Sequence, residues 1–376
     1  MNTYKVGIIS LALSFVSAVA LDAAWTSKRL TFNTGESMGT ALAVSGSNVY
    51  VAWYDATPGN HEIFFKKSVD SGATWSASRR LTYNAGDSFA PDIAVNAANI
   101  YLVWADFTSG KSEIYFRKSI DNGATWQASK RLTFNTGDSY EPAIAVSAAN
   151  IYVAWTDATP GNDEIYFRMS ADGGASWESA KRLTRNAGIS KYPAIAASGA
   201  TLFLTWQDDT PGNYEIYFMK STDGGGIWQN KKLLTNNTGW SQYPVIAISG
   251  ATLFLTWMDA TPGNYEVYFM KSTDGGATWP SAKRLTNNAG TSSAPDVAVN
   301  GGNICTVWSD DTTGNDEIYF RMSADGGATW KTAQQLTNNS GYSYNPRPAA
   351  SAATVYVTWH DNTPGNFEVY LKYSPL

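Results

Sequence analysis

The chain has 376 residues, of which 43% are hydrophobic, 14% aromatic and 16% charged, as expected of a folded protein with a sizeable core. The net charge is −5 and no basic patch or charged tail stands out, so nucleic acid is not expected as a partner. The single cysteine, Cys305, excludes an intramolecular disulfide and lies in an apolar run that predicts a buried free thiol.

The N-terminal segment has the pattern of a secretory signal peptide. Lys5 precedes an uncharged run from Val6 to Val16, and Ala18 and Ala20 provide the small residues of a cleavage site. The run is shorter than the roughly 20 apolar residues that span a bilayer, and membrane insertion is not expected. We expect residues 1–20 to be removed after Ala20 and the mature chain, residues 21–376, to be secreted or periplasmic.

A unit of 51 residues repeats along the mature chain. Its clearest marker is an aspartate in a loop of the form Ser-x-Asp-x-Gly-x-Thr-Trp, which recurs at Asp70, Asp121, Asp172, Asp223, Asp274 and Asp325. A Trp-x-Asp pair and a following Glu keep the same step seven times, from Asp55 and Glu62 to Asp361 and Glu368. This regularity predicts a repeat architecture rather than several unrelated domains.

Each unit contains four short segments with strand-like patterns and none with a helical pattern. In one unit they are residues 143–147, 151–155, 164–170 and 181–184, separated by turns rich in Pro, Gly, Asn and Asp. Four strands per unit are typical of a propeller blade. The first segment of the mature chain resembles a fourth strand and the last unit stops after its third, so the N-terminal strand is expected to complete the last blade. The sequence predicts an all-β fold, a single seven-bladed β-propeller closed in this way.

The recurrent loop resembles the Asp box, or BNR repeat, of the sialidase-like propeller superfamily. In that family the loop lies on the face opposite the active site, which implies a structural role for the six loop aspartates. The residue types agree, because a short Asp side chain can accept hydrogen bonds from its own turn and Gly permits a positive φ angle. The loop lacks the carboxylates of a calcium loop, and His61 and His360 lack metal-ligand spacing and are expected at surface or turn positions. Neither a metal nor another cofactor is expected.

The opposite face is expected to carry any ligand site. The Asp and Glu that flank each turn recur seven times, whereas one active site needs one carboxylate pair, so we expect them to brace the turns; a ring of ligand or cation sites is the alternative.

The connections between blades vary. Their exposed aromatics suit sugar rings or protein partners, with packing against the next blade as an equal alternative. Arg185, Lys191 and Trp240 are expected to form the main non-periodic cluster. The ligand-binding candidates are Phe89, Tyr140, Arg185, Lys191, Tyr192, Trp240, Tyr243, Tyr342, Tyr344 and Arg347.

The resemblance to sialidases makes a glycoside hydrolase one alternative. Family sialidases have six blades and use three arginines, a Tyr nucleophile with a Glu partner, an Asp acid and a Phe/Tyr-Arg-Ile-Pro motif. That motif is absent here, and only Arg79, Arg185 and Arg347 depart from the repeat. The sequence favours a secreted, non-catalytic module that binds glycans at several similar sites on the face opposite the Asp boxes. An exo-sialidase-like hydrolase and an extracellular protein-interaction scaffold remain alternatives, and the oligomeric state stays open.

Overall fold

The computed structural model describes residues 24–376, and every regular element in this range is a β-strand. Residues 1–23, which contain the predicted signal peptide and its cleavage site, lie outside the described residues. Within residues 24–376, no helix has the length and apolarity that crossing a membrane requires.

The strands are short and regularly spaced. In chain order they are β1 (Thr26–Arg29), β2 (Ser37–Ser45), β3 (Asn48–Asp55), β4 (Glu62–Ser68), β5 (Arg79–Arg80), β6 (Ser88–Asn96), β7 (Asn99–Asp106), β8 (Glu113–Ser119), β9 (Lys130–Arg131), β10 (Ser139–Ser147), β11 (Asn150–Asp157), β12 (Glu164–Ser170), β13 (Lys181–Arg182), β14 (Ser190–Ser198), β15 (Thr201–Asp208), β16 (Glu215–Ser221), β17 (Lys232–Leu233), β18 (Ser241–Ser249), β19 (Thr252–Asp259), β20 (Glu266–Ser272), β21 (Lys283–Arg284), β22 (Ser292–Asn300), β23 (Asn303–Asp310), β24 (Glu317–Ser323), β25 (Gln334–Gln335), β26 (Ser343–Ala350), β27 (Thr354–Asp361) and β28 (Glu368–Pro375).

These strands form seven four-stranded antiparallel sheets, which are the blades. Blades 1 to 6 each take four consecutive strands, from β2–β5 in blade 1 to β22–β25 in blade 6, and blade 7 combines β26–β28 with β1. β1 pairs with β28, from Thr26 opposite Tyr373 to Arg29 opposite Tyr370. The first strand of each blade packs against the first strands of its neighbours, as β2 does against β6 and β26. The predicted seven-bladed propeller, closed by its N-terminal strand, is confirmed.

The core lies between the blades. The second strand of a blade is covered on both faces, which explains its continuous apolar sequence; in β11, residues 151–155 have no exposed surface. Rings also pack across blade boundaries, since Phe116 of blade 2 meets Trp177 of blade 3 edge-on with 5.1 Å between ring centroids. Large apolar side chains from adjacent sheets therefore hold the ring together.

The Asp boxes join the third and fourth strands of blades 1 to 6. Asp70 accepts hydrogen bonds from the hydroxyl of Ser68 (2.7 Å), the amide of Thr74 (2.8 Å) and the hydroxyl of Thr74 (2.5 Å). These bonds, chiefly those from Thr74, lower the pKa of Asp70 to about 2. Blade 4 has Ile227 in place of Thr, and Asp223 keeps its serine and backbone contacts. The same contacts engage Asp121, Asp172, Asp274 and Asp325 within their own loops.

Candidate functional site

The two ends of the ring carry different loops. Ser37, at the start of the first strand of blade 1, pairs with Asp55 at the end of the second, and Asp55 pairs with Glu62 at the start of the third. The turns between second and third strands and the connections between blades therefore emerge at one end of the ring, and the Asp boxes at the other. We call the first end the connection face.

The repeated Asp of the connection face is saturated with hydrogen bonds. One carboxylate oxygen of Asp55 accepts from the indole of Trp53 (3.1 Å), the hydroxyl of Ser37 (2.7 Å) and the side-chain amide of Asn33 (2.7 Å), while the other accepts from the amide of Thr57 (2.9 Å). Asp55 has no exposed surface. Its equivalents accept from the same partners: Asp106, Asp157, Asp208, Asp259, Asp310 and Asp361.

The repeated Glu is held mainly through one of its two carboxylate oxygens. Glu62 is buried and accepts from the guanidinium of Arg80 (2.8 Å) and the amide of Asn84 (3.1 Å) in the connection to the next blade. Blades 4 and 6 replace the arginine with Leu233 and Gln335 and keep the amide contacts, and Glu215 of blade 4 also accepts from the hydroxyl of Ser241 (3.3 Å). Among residues 24–376, no group of three or more His, Cys, Asp or Glu side chains is placed to hold a metal ion. The repeated carboxylates brace the turns and connections, as expected from the sequence.

Side chains that break the repeat meet on the connection face of blades 3 to 5. We call Tyr140, Glu141, Lys191, Tyr192 and Tyr243 the tyrosine cluster. The rings of Tyr192 and Tyr243 lie 4.3 Å apart between centroids, and their hydroxyl oxygens are 3.3 Å apart. The amide of Tyr192 donates to the carboxyl group of Glu141 over 3.2 Å. Residues from three consecutive blades thus form one continuous surface.

A β-bulge near the start of each first strand places these side chains. The pairing register shifts just after Tyr140, Lys191 and Gln242, and the residue that follows each has a φ angle of 53°: Glu141, Tyr192 and Tyr243. The left-handed region is unfavourable for such residues, and a bulge redirects the side chain it carries. Four other blades adopt the same conformation with smaller side chains, at Gly39, Ala90, Ala294 and Asn345.

Charge and burial tune the cluster. Lys191 Nζ lies 3.0 Å from Asp163 Oδ2 and 5.6 Å from the ring centre of Tyr140. Burial opposes the charge of Lys191, but the hydrogen bond and charge of Asp163 outweigh it and raise the pKa of Lys191. Burial raises the pKa of Glu141, and burial together with the charge of Glu141 raises the pKa of Tyr192. The phenol of Tyr192 therefore keeps its proton at neutral pH and can donate a hydrogen bond.

Two aromatic side chains at the cluster reach solvent. Trp240 is 52% exposed and meets Tyr214 edge-on at 6.1 Å, while Tyr243 is 36% exposed. The side-chain amides of two glutamines support this surface. Gln207 Oε1 accepts from the main-chain amide of Tyr243 (3.0 Å), and Gln242 Oε1 accepts from the hydroxyl of Tyr265 (2.8 Å). Exposed rings lie beside polar groups that are held in place by hydrogen bonds.

The other aromatic candidates lie in different blades. Phe89 of blade 2 stacks on Phe107 at 5.5 Å. In blade 7, Tyr342 and Tyr344 stack at 5.9 Å, and Tyr342 is 46% exposed. His360, expected at a surface or turn, lies instead in β27 and is only 5% exposed, because its strand is covered on both faces.

The two arginine candidates lie apart from the tyrosine cluster. Arg185 lines an open groove of about 710 Å³ at the outer strands of blades 3 and 4, together with Trp228 and Lys231. The three residues that the sequence grouped have different neighbours: Arg185 lines this groove, Lys191 pairs with Asp163, and Trp240 packs on Tyr214. The connection runs from the outer strand of one blade to the first strand of the next, and Arg185 lies at its outer end.

Arg347 projects from the first strand of blade 7. Its guanidinium lies 3.2 Å from the carboxylate of Asp296 in blade 6 and also interacts with the charge of Asp92 in blade 2. These three residues occupy the same repeat position and depart from the Ala or Val of other blades. First strands surround the ring axis, so the group lies around the central channel.

The sequence matches the family described as BNR repeat-like domain over residues 153–357, more than half of the chain. The chain belongs to this family. The matched range runs from β11 of blade 3 to β27 of blade 7. It includes the Lys191, Tyr192 and Tyr243 part of the tyrosine cluster.

Known proteins similar to this BNR repeat propeller are distant in sequence. Over 252 residues it is 24% identical to the xyloglucanase Xgh74A of Acetivibrio thermocellus, a match that covers 57% of this chain and 28% of the xyloglucanase. The chain thus spans well under half the length of that relative.

Solved structures share the fold. The Hadza microbial sialidase Hz136 superposes with a TM-score of 0.55 at 15% identity, covering 88% of this chain and 74% of the sialidase. The phage phi92 endosialidase gives 0.58 at 10% identity, covering 94% and 69%. The polysaccharide lyase Uly1 gives 0.61 at 10% identity, covering 90% of each chain. At these identities the likeness shows the fold.

Three polar residues of this BNR repeat propeller escaped the sequence reasoning. The candidates predicted from the sequence were aromatic and basic side chains, and they did not include Glu141, Asp92 or Asp296. A signal was present, since each stands where most other repeats carry a small or different residue. Comparing the seven repeats position by position finds all three.

Proposed function

We propose that the protein binds a glycan at the tyrosine cluster without cleaving it. One observation carries the proposal: the exposed ring of Tyr243 adjoins hydroxyl and amide groups that break an otherwise regular repeat, and the exposed ring of Trp240 lies against Tyr214, on which the charge of Lys191 acts. A sugar ring can stack its C–H face on an aromatic ring while its hydroxyls form hydrogen bonds to such groups. The named activities of the xyloglucanase, sialidase and lyase relatives concern glycans, which supports this ligand class.

One site per chain fits the side chains better than several equivalent sites. The sequence suggested multivalent binding, because the repeats are alike. The side chains suited to a sugar differ from blade to blade, however, and those of blades 3 to 5 are the ones that group into a polar and aromatic surface. We therefore infer a single glycan equivalent per chain.

The contacts of the charged groups support the proposal of binding without cleavage. The seven Asp and seven Glu of the repeat are engaged in the turns, as Asp55 and Glu62 are. Glu141 accepts hydrogen bonds from the amide of Tyr192 and from the hydroxyl of Thr156 (2.9 Å). A hydrolase of the usual kind needs a free carboxylate pair across the scissile bond. A fluorogenic sialoside assay tests the exo-sialidase alternative, and we expect no turnover.

A glycan array followed by calorimetric titration tests the proposal on the predicted mature chain, residues 21–376. We expect one equivalent of glycan per chain. Tyr243→Ala and Trp240→Ala should each weaken binding about tenfold, near the 1–3 kcal/mol of a lost stacking platform. Tyr342→Ala is the matched control, since Tyr342 is similarly exposed but lies in blade 7.

Two results would contradict the proposal. Absence of binding to any glycan would redirect the search to an extracellular protein partner. An equal loss of affinity in Tyr342→Ala would show that the tyrosine cluster is not the binding surface. Several equivalents per chain would restore the multivalent interpretation.

A further inference from the structure

The tyrosine cluster lies among carboxylates. Glu141 belongs to it, and Asp163 contacts it through Lys191. The charges of Asp138 and Asp209 also reach its phenol groups: Asp138 acts on Tyr140, and Asp209 acts on neighbouring Tyr214. The electrostatic field at this surface is therefore dominated by negative groups.

Lys191 is the cation that faces these carboxylates, and it is already paired. Its ammonium lies 3.0 Å from Asp163 Oδ2, and its side chain is only 27% exposed. The ring of Tyr140 covers it at 5.6 Å. An anionic ligand would have to compete with Asp163 for this charge.

The arginines of residues 24–376 have their contacts outside the tyrosine cluster. Arg347 binds Asp296, and Arg185 lines the outer groove. Arg79 donates to a main-chain carbonyl. The remaining arginines bind the repeated glutamates or the main chain of the preceding blade: Arg29, Arg80, Arg131, Arg182 and Arg284 in the first group, Arg117, Arg168 and Arg321 in the second. Within residues 24–376, no arginine forms a hydrogen bond or ion pair with the tyrosine cluster, where a guanidinium could bind a sugar carboxylate in the bidentate manner.

We propose that the site selects uncharged sugars and rejects sugars that carry carboxylate or sulfate groups. This inference rests on the proposed glycan binding and adds the class of glycan. Phenol and amide groups can bind neutral hydroxyls, whereas an acidic sugar would meet the negative field of these carboxylates, whose facing cation, Lys191, is already paired with Asp163. The selectivity comes from what opposes the wrong ligand as much as from what holds the right one.

Matched pairs of glycans test the inference. Each neutral oligosaccharide that binds is titrated beside the same backbone carrying a sialic or uronic acid near the bound residue. We expect the neutral member to bind at least about tenfold more tightly at low ionic strength. The gap should narrow as salt screens the carboxylates.

The outcomes separate this inference from the proposed function. Equal or tighter binding of the acidic member would overturn the inference and leave glycan binding standing. Binding of neither member would remove both.

Asp163→Asn provides a second readout. It removes one carboxylate and frees Lys191, so the affinity of the acidic member relative to the neutral one should rise about tenfold. Asp316→Asn is the matched control, because Asp316 occupies the same repeat position in blade 6 and contacts Tyr344 instead. An unchanged ratio in Asp163→Asn, or an equal rise in both variants, would refute the electrostatic account. The salt series on the unmodified protein tests it independently of how either variant folds.

Discussion

An alanine at Gly174 tests whether the Asp box sets the spacing between blades. Gly174 lies in the Asp box of blade 3 with a φ angle of +84°, and a Cβ built there would lie 2.6 Å from Cε1 of Phe116 in blade 2. Phe116 is 1% exposed and is held edge-on against Trp177 at 5.1 Å. The ring therefore cannot move aside without disturbing the core.

Two costs add for Gly174→Ala. A left-handed backbone costs about 1–2 kcal/mol for a residue with a Cβ. Forcing a methyl group into a packed core costs a further ~1–3 kcal/mol. The free energy of unfolding should therefore fall by about 2–5 kcal/mol.

Gly173→Ala separates the two costs. Its φ angle is +66°, but the nearest atom to its Cβ is Lys118 Nζ at 3.8 Å, so only the backbone cost applies. Blades 1 and 2 already carry Ser71 and Asn122 at this position, with φ angles of 58° and 60°. We expect Gly173→Ala to cost no more than about 1–2 kcal/mol.

Equilibrium urea unfolding measures both variants against the parent protein. The prediction is a lower midpoint for Gly174→Ala than for Gly173→Ala, with an unchanged slope. If the free energies of unfolding of the two variants agree within about 0.5 kcal/mol, Phe116 accommodates the methyl group without cost and the Asp box does not set the spacing between blades.

Three further predictions concern titratable groups. Burial lowers the pKa of His360 from 6.5 to about 4, so between these pH values the unfolded chain binds a proton that the folded chain does not. The free energy of unfolding should therefore fall as the pH drops from 6.5 to 4. In urea unfolding, His360→Met should remove up to about 3 kcal/mol of that loss. Arg347→Met leaves Asp296 and Asp92 without their cation, and burial already raises the pKa of both carboxyl groups. The free energy of unfolding should therefore fall by roughly 1–3 kcal/mol at pH 8, and by less at pH 5, where these groups protonate more easily. An equal loss at both pH values would contradict this. Burial raises the pKa of the Cys305 thiol to about 12, so a thiol reagent should react only in denaturant, and rapid labelling of the native protein would contradict the buried assignment.

The fold could be predicted because the 51-residue unit recurs seven times in the sequence. A fixed step between equivalent residues gives the number of blades, and the short apolar segments give four strands in each. The pairing of β1 with β28 followed from the need to cover an open sheet edge. None of these inferences depends on the direction of an individual side chain.

The candidate site could be predicted only in part. The sequence indicated Tyr192 and Tyr243 as candidates. Their contact depends on a β-bulge in which each of them has a left-handed backbone, and nothing in the sequence predicts that conformation for a tyrosine. Arg185 and Lys191 are close along the chain, yet the connection between them crosses from the outer strand to the first strand of the next blade. Proximity in sequence is therefore a poor guide to proximity on this face.

The bulge position carries larger polar side chains in blades 3 to 5 than its backbone requires. Gly39 shows that glycine fits this position, and glycine would avoid the strain of a positive φ angle. Blades 3 to 5 instead hold Glu141, Tyr192 and Tyr243 there, at a cost of about 1 kcal/mol or more each. Blades 2, 6 and 7 hold Ala90, Ala294 and Asn345 there with φ angles of 49°, 46° and 49°. The strain is therefore common to these blades, and the size and polarity of the side chain distinguish blades 3 to 5, as the proposed glycan site requires.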